Sequence, residues 1–373
     1  MKSGWAIKKL GEVCELINGK NQSEVANPSG KYPIYGSGGV MGRADDFRCP
    51  AGCTIIGRKG SINNPLYVTE PFWNVDTAYA LSPTGVESKF LYYFCLSFDF
   101  SKLDCGTTIP SLTSAIVKDV DIPIPPLPEQ KRIVAKIDAA FEKIDKLKAN
   151  AEKNLANAKE LFQSALDEAM RPKDGWVEKR LGEVANIRVG PFGSSLHKAD
   201  YVENGVPLVN PCHMKDSKIA DKISTQVSHN KAESLKEYRL RAGDIVFARR
   251  GEIGRLAFVS EKEDGYLCGT GSLFARFRER FDIQFLYFFF SSKSFVERLE
   301  MLSTGTTMKS INSSALESMS FSVPPMNEQQ RLAQQFDSLA EKIKILEQNY
   351  TQQIADCVEM RQAVLREAFE WRL

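Results

Sequence analysis

Residues 106–138 read GTTIPSLTSAIVKDVDIPIPPLPEQKRIVAKID, and residues 305–337 read GTTMKSINSSALESMSFSVPPMNEQQRLAQQFD. The stretches share Gly-Thr-Thr, a Pro-Pro pair, Glu-Gln and a closing Asp at a constant offset of 199 residues. In each, Pro125-Pro126 or Pro324-Pro325 stops an extended segment, and Glu129 or Glu328 then suits the first turn of a helix. From those acidic residues to Met170 and to the end of the sequence there is no Gly or Pro. The pattern predicts a module that runs into a long helix, twice.

An earlier match fixes the start of each copy. Gly4 to Val13 reads GWAIKKLGEV and Gly175 to Val184 reads GWVEKRLGEV, with seven of ten positions identical at an offset of 171. The offset grows from 171 to 199, so the second module carries a net insertion of 28 residues. Between these blocks Ala51-Gly52 pairs with Ala242-Gly243, Arg58 with Arg249, and Gly60 with Gly251, in order. The period is far too long for a solenoid; the chain is a domain duplication.

The helices carry a heptad signal. In the first the apolar seam is read as Ile133, Ile137, Ala140, Ile144, Leu147, Ala151, Asn154, Ala158, Leu161 and Ala165. In the second it is Leu332, Phe336, Leu339, Ile343, Leu346, Tyr350, Gln353, Cys357, Met360 and Val364. Steps of four and three alternate without a slip, which predicts a coiled coil. Helices of about 40 residues would be roughly 60 Å long. Asn154 and Gln353 stand at equivalent seam positions, so a buried amide pair that fixes register is expected; a merely wet position near mid-helix is the alternative.

The modules read as mixed α/β. Thr54-Ile55-Ile56 and Leu66-Tyr67-Val68 are strand-like around the turn Gly57-Arg58-Lys59-Gly60-Ser61. Asp244–Ala248 and Leu256–Val259 flank Arg249-Arg250-Gly251-Glu252-Ile253-Gly254 in the same way. Phe90–Phe94 and Phe285–Phe290 predict the main core helix of each copy.

Composition bounds the function. With 373 residues, a formal net charge of +2 and 49 Lys and Arg, the chain is not basic throughout, yet it can carry a local basic groove. The start, MKSGWAIKK, lacks the apolar core of a signal peptide, and no run of about 18 apolar residues occurs. No membrane association is expected, and a cytoplasmic location is. The eight cysteines lack paired CxxC spacing, and Cys49 and Cys53 have no second pair to complete a zinc set. They are expected to be reduced and to pack as small apolar residues. His197, His213 and His229 lack helical phase and predict surface or core roles rather than a metal site. No cofactor and no catalytic residue is expected: neither a GxxxxGK phosphate loop nor an Asn/Asp-Pro-Pro-Tyr/Phe methylase motif is present.

Over essentially its full length the chain resembles the specificity (S) subunits of type I restriction–modification enzymes. The resemblance rests on Trp5 with Leu10-Gly11-Glu12, Trp176 with Leu181-Gly182-Glu183, and Pro-Pro-Leu-Pro-Glu-Gln at 125–130. Gly190-Pro-Phe-Gly-Ser194, Leu161-Phe-Gln-Ser-Ala-Leu166 and Val364-Leu-Arg-Glu-Ala-Phe369 add to it. It implies two pseudo-repeated α/β (α+β) target-recognition domains, each reading one half of a split double-stranded DNA sequence, and two helices in an antiparallel coiled coil that spaces them. It further implies docking of two adenine-N6 methyltransferase (M) subunits on the helical regions, with restriction (R) subunits joining the core so formed. The chain itself would be non-catalytic. The expected organisation is recognition domain 1–126, first helix 127–172, recognition domain 173–325 and second helix 326–373.

Base readout needs forked side chains and backbone contact needs cations and donor-rich turns. Arg58 and Lys59 between Gly57 and Gly60, and Arg249 and Arg250 before Gly251, are therefore the first DNA-binding candidates; a solvated β-turn with incidental charges is the bland alternative. The Gly-Thr-Thr turns offer Thr107 and Thr108, and Thr306 and Thr307 with Lys309 close by, where a capping or turn role is the alternative. Ser37 in the glycine-rich loop Tyr35–Gly39 and Ser194 in Gly190–Ser195 complete the set. Two rivals stand beside this reading. One is a nuclease built on Glu87, Lys89 and Asp76, a triplet without an aligned second copy. The other is a coiled-coil protein-interaction scaffold that never meets DNA, which composition alone leaves open.

Overall fold

The structure, a computed structural model, describes residues 4–305 and 309–369. Contacts divide it into two compact units: residues up to Lys153 together with those from Tyr350 onward, and Asn154–Asn349. Each unit holds one module and a segment of each long helix.

In each unit the first and last strands of the module pair. Ala6–Lys9 runs antiparallel to Asp121–Ile124, and Val177–Arg180 to Ser320–Val323. The Leu-Gly-Glu motif that follows is a one-turn helix, Leu10–Val13 or Leu181–Val184. Its three residues have separate tasks. The leucine is buried. The glutamate caps the turn: Glu12 accepts from the Lys9 N–H at 2.6 Å and Glu183 from the Arg180 N–H at 3.0 Å. The glycine allows close approach, because a Cβ on Gly11 would lie 3.0 Å from Lys118 Cβ, and one on Gly182 3.1 Å from Glu317 Cβ.

A four-stranded antiparallel sheet follows, in the spatial order Cys14–Asn18, Ala78–Pro83, Cys53–Gly57, Leu66–Val68. The second module repeats the order with Ala185–Val189, Ser272–Phe277, Ile245–Ala248 and Leu256–Phe258. The central strands Cys53–Gly57 and Ile245–Ala248 are buried along their whole length, as the apolar runs predict. A second sheet is built round one parallel pairing, Tyr32–Gly36 with Trp73–Asn74 and Val206–Val209 with Leu267–Cys268. Helices Ser88–Ser97 and Ile283–Ser291 bury Phe90 and Phe94, and Phe285 and Phe288–Phe290, as expected. In the second module the chain between Val206–Val209 and Ile245–Ala248 carries added structure, the hairpin Met214–Lys215 with Lys218–Ile219 and the helix His229–Ser234.

The long helices are Leu127–Ala169 and Met326–Phe369. The Glu-Gln of each Pro-Pro motif explains how they start. Gln130 is buried; its Oε1 accepts from the Glu87 N–H at 2.8 Å and its Nε2 donates to the Pro125 carbonyl at 2.8 Å. Gln329 does the same for Asp282 and Pro324, at 2.9 and 3.0 Å. One amide thus ties the long helix to the core helix in both copies.

The helices pack antiparallel within each unit. In the first, Arg361 stacks 4.0 Å from the Phe141 ring centroid and ion-pairs with Asp145, while Phe369 packs 5.2 Å from Phe90 and 5.7 Å from Phe94. In the second, Phe162 lies 6.2 Å from Phe336 and 6.4 Å from Phe288. The expected seam is half right. Its line Ile137, Ile144, Ala151, Ala158 is buried, as are Phe336, Ile343 and Cys357. Its other line is covered only near the helix starts, where Ile133 and Leu332 are buried and Ala140 and Leu339 half-buried; Leu147, Asn154, Leu161, Leu346, Gln353 and Met360 are exposed. Asn154 and Gln353 are therefore no buried register pair. The covered flank is one residue further on, at Phe141, Lys148, Leu155 and Phe162, and at Ala340, Glu347, Ile354, Arg361 and Ala368. Positions three and four residues along a helix lie about 60° to one side and about 40° to the other of the starting line. Both choices alternate four and three, so periodicity alone does not separate them.

Candidate nucleic-acid interface

In the first module the strand Cys53–Gly57 delivers the chain into the basic turn. Gly57 admits no side chain there, since a Cβ would come 2.2 Å from the Ser61 carbonyl oxygen. The turn is laced to the segment before the long helix. Lys59 bridges to Ser111, the Gly60 N–H donates to the Pro110 carbonyl at 2.9 Å, and the Leu112 N–H to that of Arg58 at 2.8 Å. The Gly-Thr-Thr loop itself is closed by Asp104, whose carboxylate accepts from the Ser111 and Gly106 N–H groups at 2.8 Å each. Those two bonds, Ser111's first, hold its pKa below the usual range. Thr107 and Thr108 stand exposed on this loop. Ser37 belongs to the same place: its Oγ lies 3.5 Å from where a Gly60 Cβ would be.

The second module repeats the arrangement. Arg250 bridges to Ser310, and the Ile311 N–H donates to the Arg249 carbonyl at 3.0 Å. Thr304 and Ser310 exchange backbone bonds of 2.9 and 2.8 Å that close the loop. Lys309 is exposed and ion-pairs with Glu300 at 2.8 Å. Thr306 and Thr307 lie outside the described residues. Ser194 is exposed in the short helical turn Gly193–Ser195. Its loop reaches the basic turn through Phe192, whose ring centroid lies 5.5 Å from the Arg249 guanidinium carbon.

Sequence spacing does not reveal that the two candidate loops of each module are neighbours; the equivalent bridges Lys59–Ser111 and Arg250–Ser310 join them. Nor does it separate the cations of each pair. Arg58 and Arg249 are half-buried and fold back, Arg58 Nη1 onto the Asp76 carbonyl at 3.2 Å and Arg249 Nε onto that of Ile311 at 3.3 Å. Lys59 and Arg250 are exposed, and neither side chain has an ion-pair partner among the described residues.

Two residues of the nuclease rival, Glu87 and Lys89, have structural work. Glu87 caps the core helix by accepting from the Phe90 N–H at 2.7 Å, and Lys89 ion-pairs with Asp138 at 2.9 Å. His213 is buried with its Nδ1 accepting from the Asn210 N–H at 3.1 Å, while His197 and His229 are exposed. Among the described residues no group of three or more His, Cys, Asp or Glu is placed to hold a metal, and no helix is long and apolar enough to cross a membrane. Six cysteines are buried, while Cys105 and Cys212 are exposed; burial pushes the thiols of Cys14 and Cys49 up to about 12.

A family model described as Type I restriction modification DNA specificity domain matches residues 2–156 and 173–355. The chain is 23% identical over 350 residues to the Type I restriction enzyme EcoBI specificity subunit of Escherichia coli, covering 86% of this chain and 73% of that protein. It is 25% identical over 385 residues to the Type I restriction enzyme MjaVIII specificity subunit of Methanocaldococcus jannaschii, covering 91% and 87%. In fold it matches a chain from a study of complex assembly and conformational transition of the type I R-M system, with a TM-score of 0.79 at 21% identity over 100% of this chain and 99% of that one. It also matches the HsdS subunit from Thermoanaerobacter tengcongensis, with a TM-score of 0.60 at 21% identity over 100% and 98%. The matched segments take in both modules and the greater part of both long helices, and the chain belongs to the family of type I restriction–modification DNA specificity domains.

Proposed function

We propose that this chain is the sequence-reading subunit of a type I restriction–modification complex and performs no chemistry itself. Each module, 1–126 and 173–325, reads one half of an interrupted double-stranded target. The helices, 127–172 and 326–373, set the spacing of the halves and dock two adenine-N6 methyltransferase subunits, with restriction subunits joining through that core in the cytoplasm.

The observation that carries the reading is the repeated joining of a basic turn to the loop before the long helix, with one exposed cation, Lys59 or Arg250, at the junction. The two copies keep that junction while their other loops differ. Phosphate neutralisation by such cations is independent of sequence, and the loops beside them would read base edges. Exposed apolar residues on the helices of each unit, Leu147 and Met360 in the first and Leu161 and Leu346 in the second, support docking of another chain there, because the other flank is already covered.

The test is DNA binding by the chain reconstituted with its methyltransferase subunits, measured across a salt series. Lys59→Glu and Arg250→Glu should each weaken binding at least tenfold at about 100 mM salt and flatten the log–log salt dependence. Unchanged affinity and slope in both variants would remove the turns from the interface. Absence of any sequence preference in the wild-type complex would favour a scaffold.

A further inference from the structure

We propose that Arg249 is a positioning residue which holds the ring of Phe192 as an apolar contact to base edges in module 2, leaving phosphate to Arg250. The inference rests on the DNA-reading role above and assigns separate tasks within one turn.

Phe192 is 59% exposed, yet its loop is anchored on both sides by buried Pro191 and Leu196. The loop has little room to shift. A Cβ on Gly190 would come 2.0 Å from the Gly269 carbonyl oxygen, and Gly193 takes a φ of +63°, which other residues rarely adopt. The ring therefore stays in solvent because its backbone is fixed, while the guanidinium of Arg249 stacks against it.

Arg249 is itself immobilised. Its N–H donates to the Gly271 carbonyl at 2.9 Å, its carbonyl accepts from Ile311, and Nε reaches the Ile311 carbonyl. Nη1 is buried with no hydrogen-bond partner among the described residues. Burial first, and repulsion by Arg250 second, push its pKa below the ordinary value. A cation turned inward is poorly placed to replace counterions on a phosphate backbone. Exposed Arg250 is well placed to do so.

A rigid aromatic ring beside that phosphate contact can meet a thymine methyl or wedge against a base step. Module 1 supplies the contrast. Arg58 folds back in the same way and lies 6.0 Å from the Tyr79 ring, but Tyr79 is buried. That module keeps the positioning cation and presents no exposed ring on it among the described residues. Two readers of different half-sites would differ in this manner.

The experiment uses the chain with its methyltransferase subunits. It compares binding to the duplex target, found by mapping modified adenines, with binding to a scrambled duplex over a salt series. Phe192→Ala and Arg249→Lys should each lower the target-to-scrambled affinity ratio about tenfold and leave the salt slope unchanged. Arg250→Ala should weaken both duplexes alike and reduce the slope by about one. The double variant Phe192→Ala with Arg249→Lys should be no worse than either alone. Phe192→Ala removes an exposed ring, so its melting temperature should match the wild type and any binding loss is not unfolding. A ratio unchanged by Phe192→Ala, or a slope reduced by Arg249→Ala as much as by Arg250→Ala, overturns the proposal while leaving the turn in the interface. No effect from any variant, Arg250→Ala included, takes the DNA-reading role of this turn down with it.

Discussion

The two modules agree where they build the frame and differ in the loops proposed to meet DNA. Their frame contacts match almost number for number: the Leu10 N–H reaches the Val120 carbonyl at 2.8 Å and the Leu181 N–H that of Met319 at 2.9 Å. The buried glutamines tie the same two helices, and the core sheets have the same strand order. The second sheets differ in their partner strands, and module 2 adds a separate hairpin, Met214–Lys215 with Lys218–Ile219. The exposed ring beside the basic turn belongs, among the described residues, to module 2. Close packing tolerates little change without loss of stability, whereas exposed loops tolerate a great deal. The frame is held by its own packing, and the exposed loops are left free to vary.

The largest effect that would break this comparison lies in the packing of the helices on the modules. Phe336 packs 5.6 Å from Phe288, and Phe141 packs 5.5 Å from Tyr93 and beneath Arg361. Truncating either to alanine should cost about 3–5 kcal/mol, read as a shift of the urea unfolding transition. Similar losses sharpen the idea of one frame used twice; a loss below about 1 kcal/mol in only one copy would break it.

A smaller effect is expected at the buried amides. Gln130→Leu and Gln329→Leu each strand a backbone N–H and a proline carbonyl, so each should cost about 1–3 kcal/mol. The two costs should agree, since the partners are equivalent and the distances differ by only 0.1 to 0.2 Å. Unfolding curves for the two variants check this directly. A near-zero cost at one position would mean that water or a shifted helix replaces the amide there.

The duplication and the long helices are legible because they leave repeated words and uninterrupted helix formers. The core strands and the aromatic core helices are legible for a related reason: apolar runs with turn residues beside them admit few other arrangements. The covered flank of the helices is not. Leu147 and Leu161 are as apolar as Leu155 and Phe162, and the heptad rule accepts either set. Which set is buried depends on what the modules bring against the helix, a tertiary matter. For that reason Asn154 and Gln353, expected inside, are exposed. At the candidate interface the turns and loops follow from glycine and cation spacing. Their adjacency and the inward fold of Arg249 depend on contacts between residues some fifty or sixty positions apart, and that of Arg58 on a contact across 18 positions, which no local pattern reports.

Each module is proposed to read its own half of the target on a shared frame. Replacing residues 173–325 by the corresponding module of a family member with another target, and mapping N6-methyladenine genome-wide, tests it most directly. The expected result is an interrupted methylated sequence in which one half changes and the other half stays as in the wild type. A change in both halves, or a single uninterrupted methylated sequence, would contradict it.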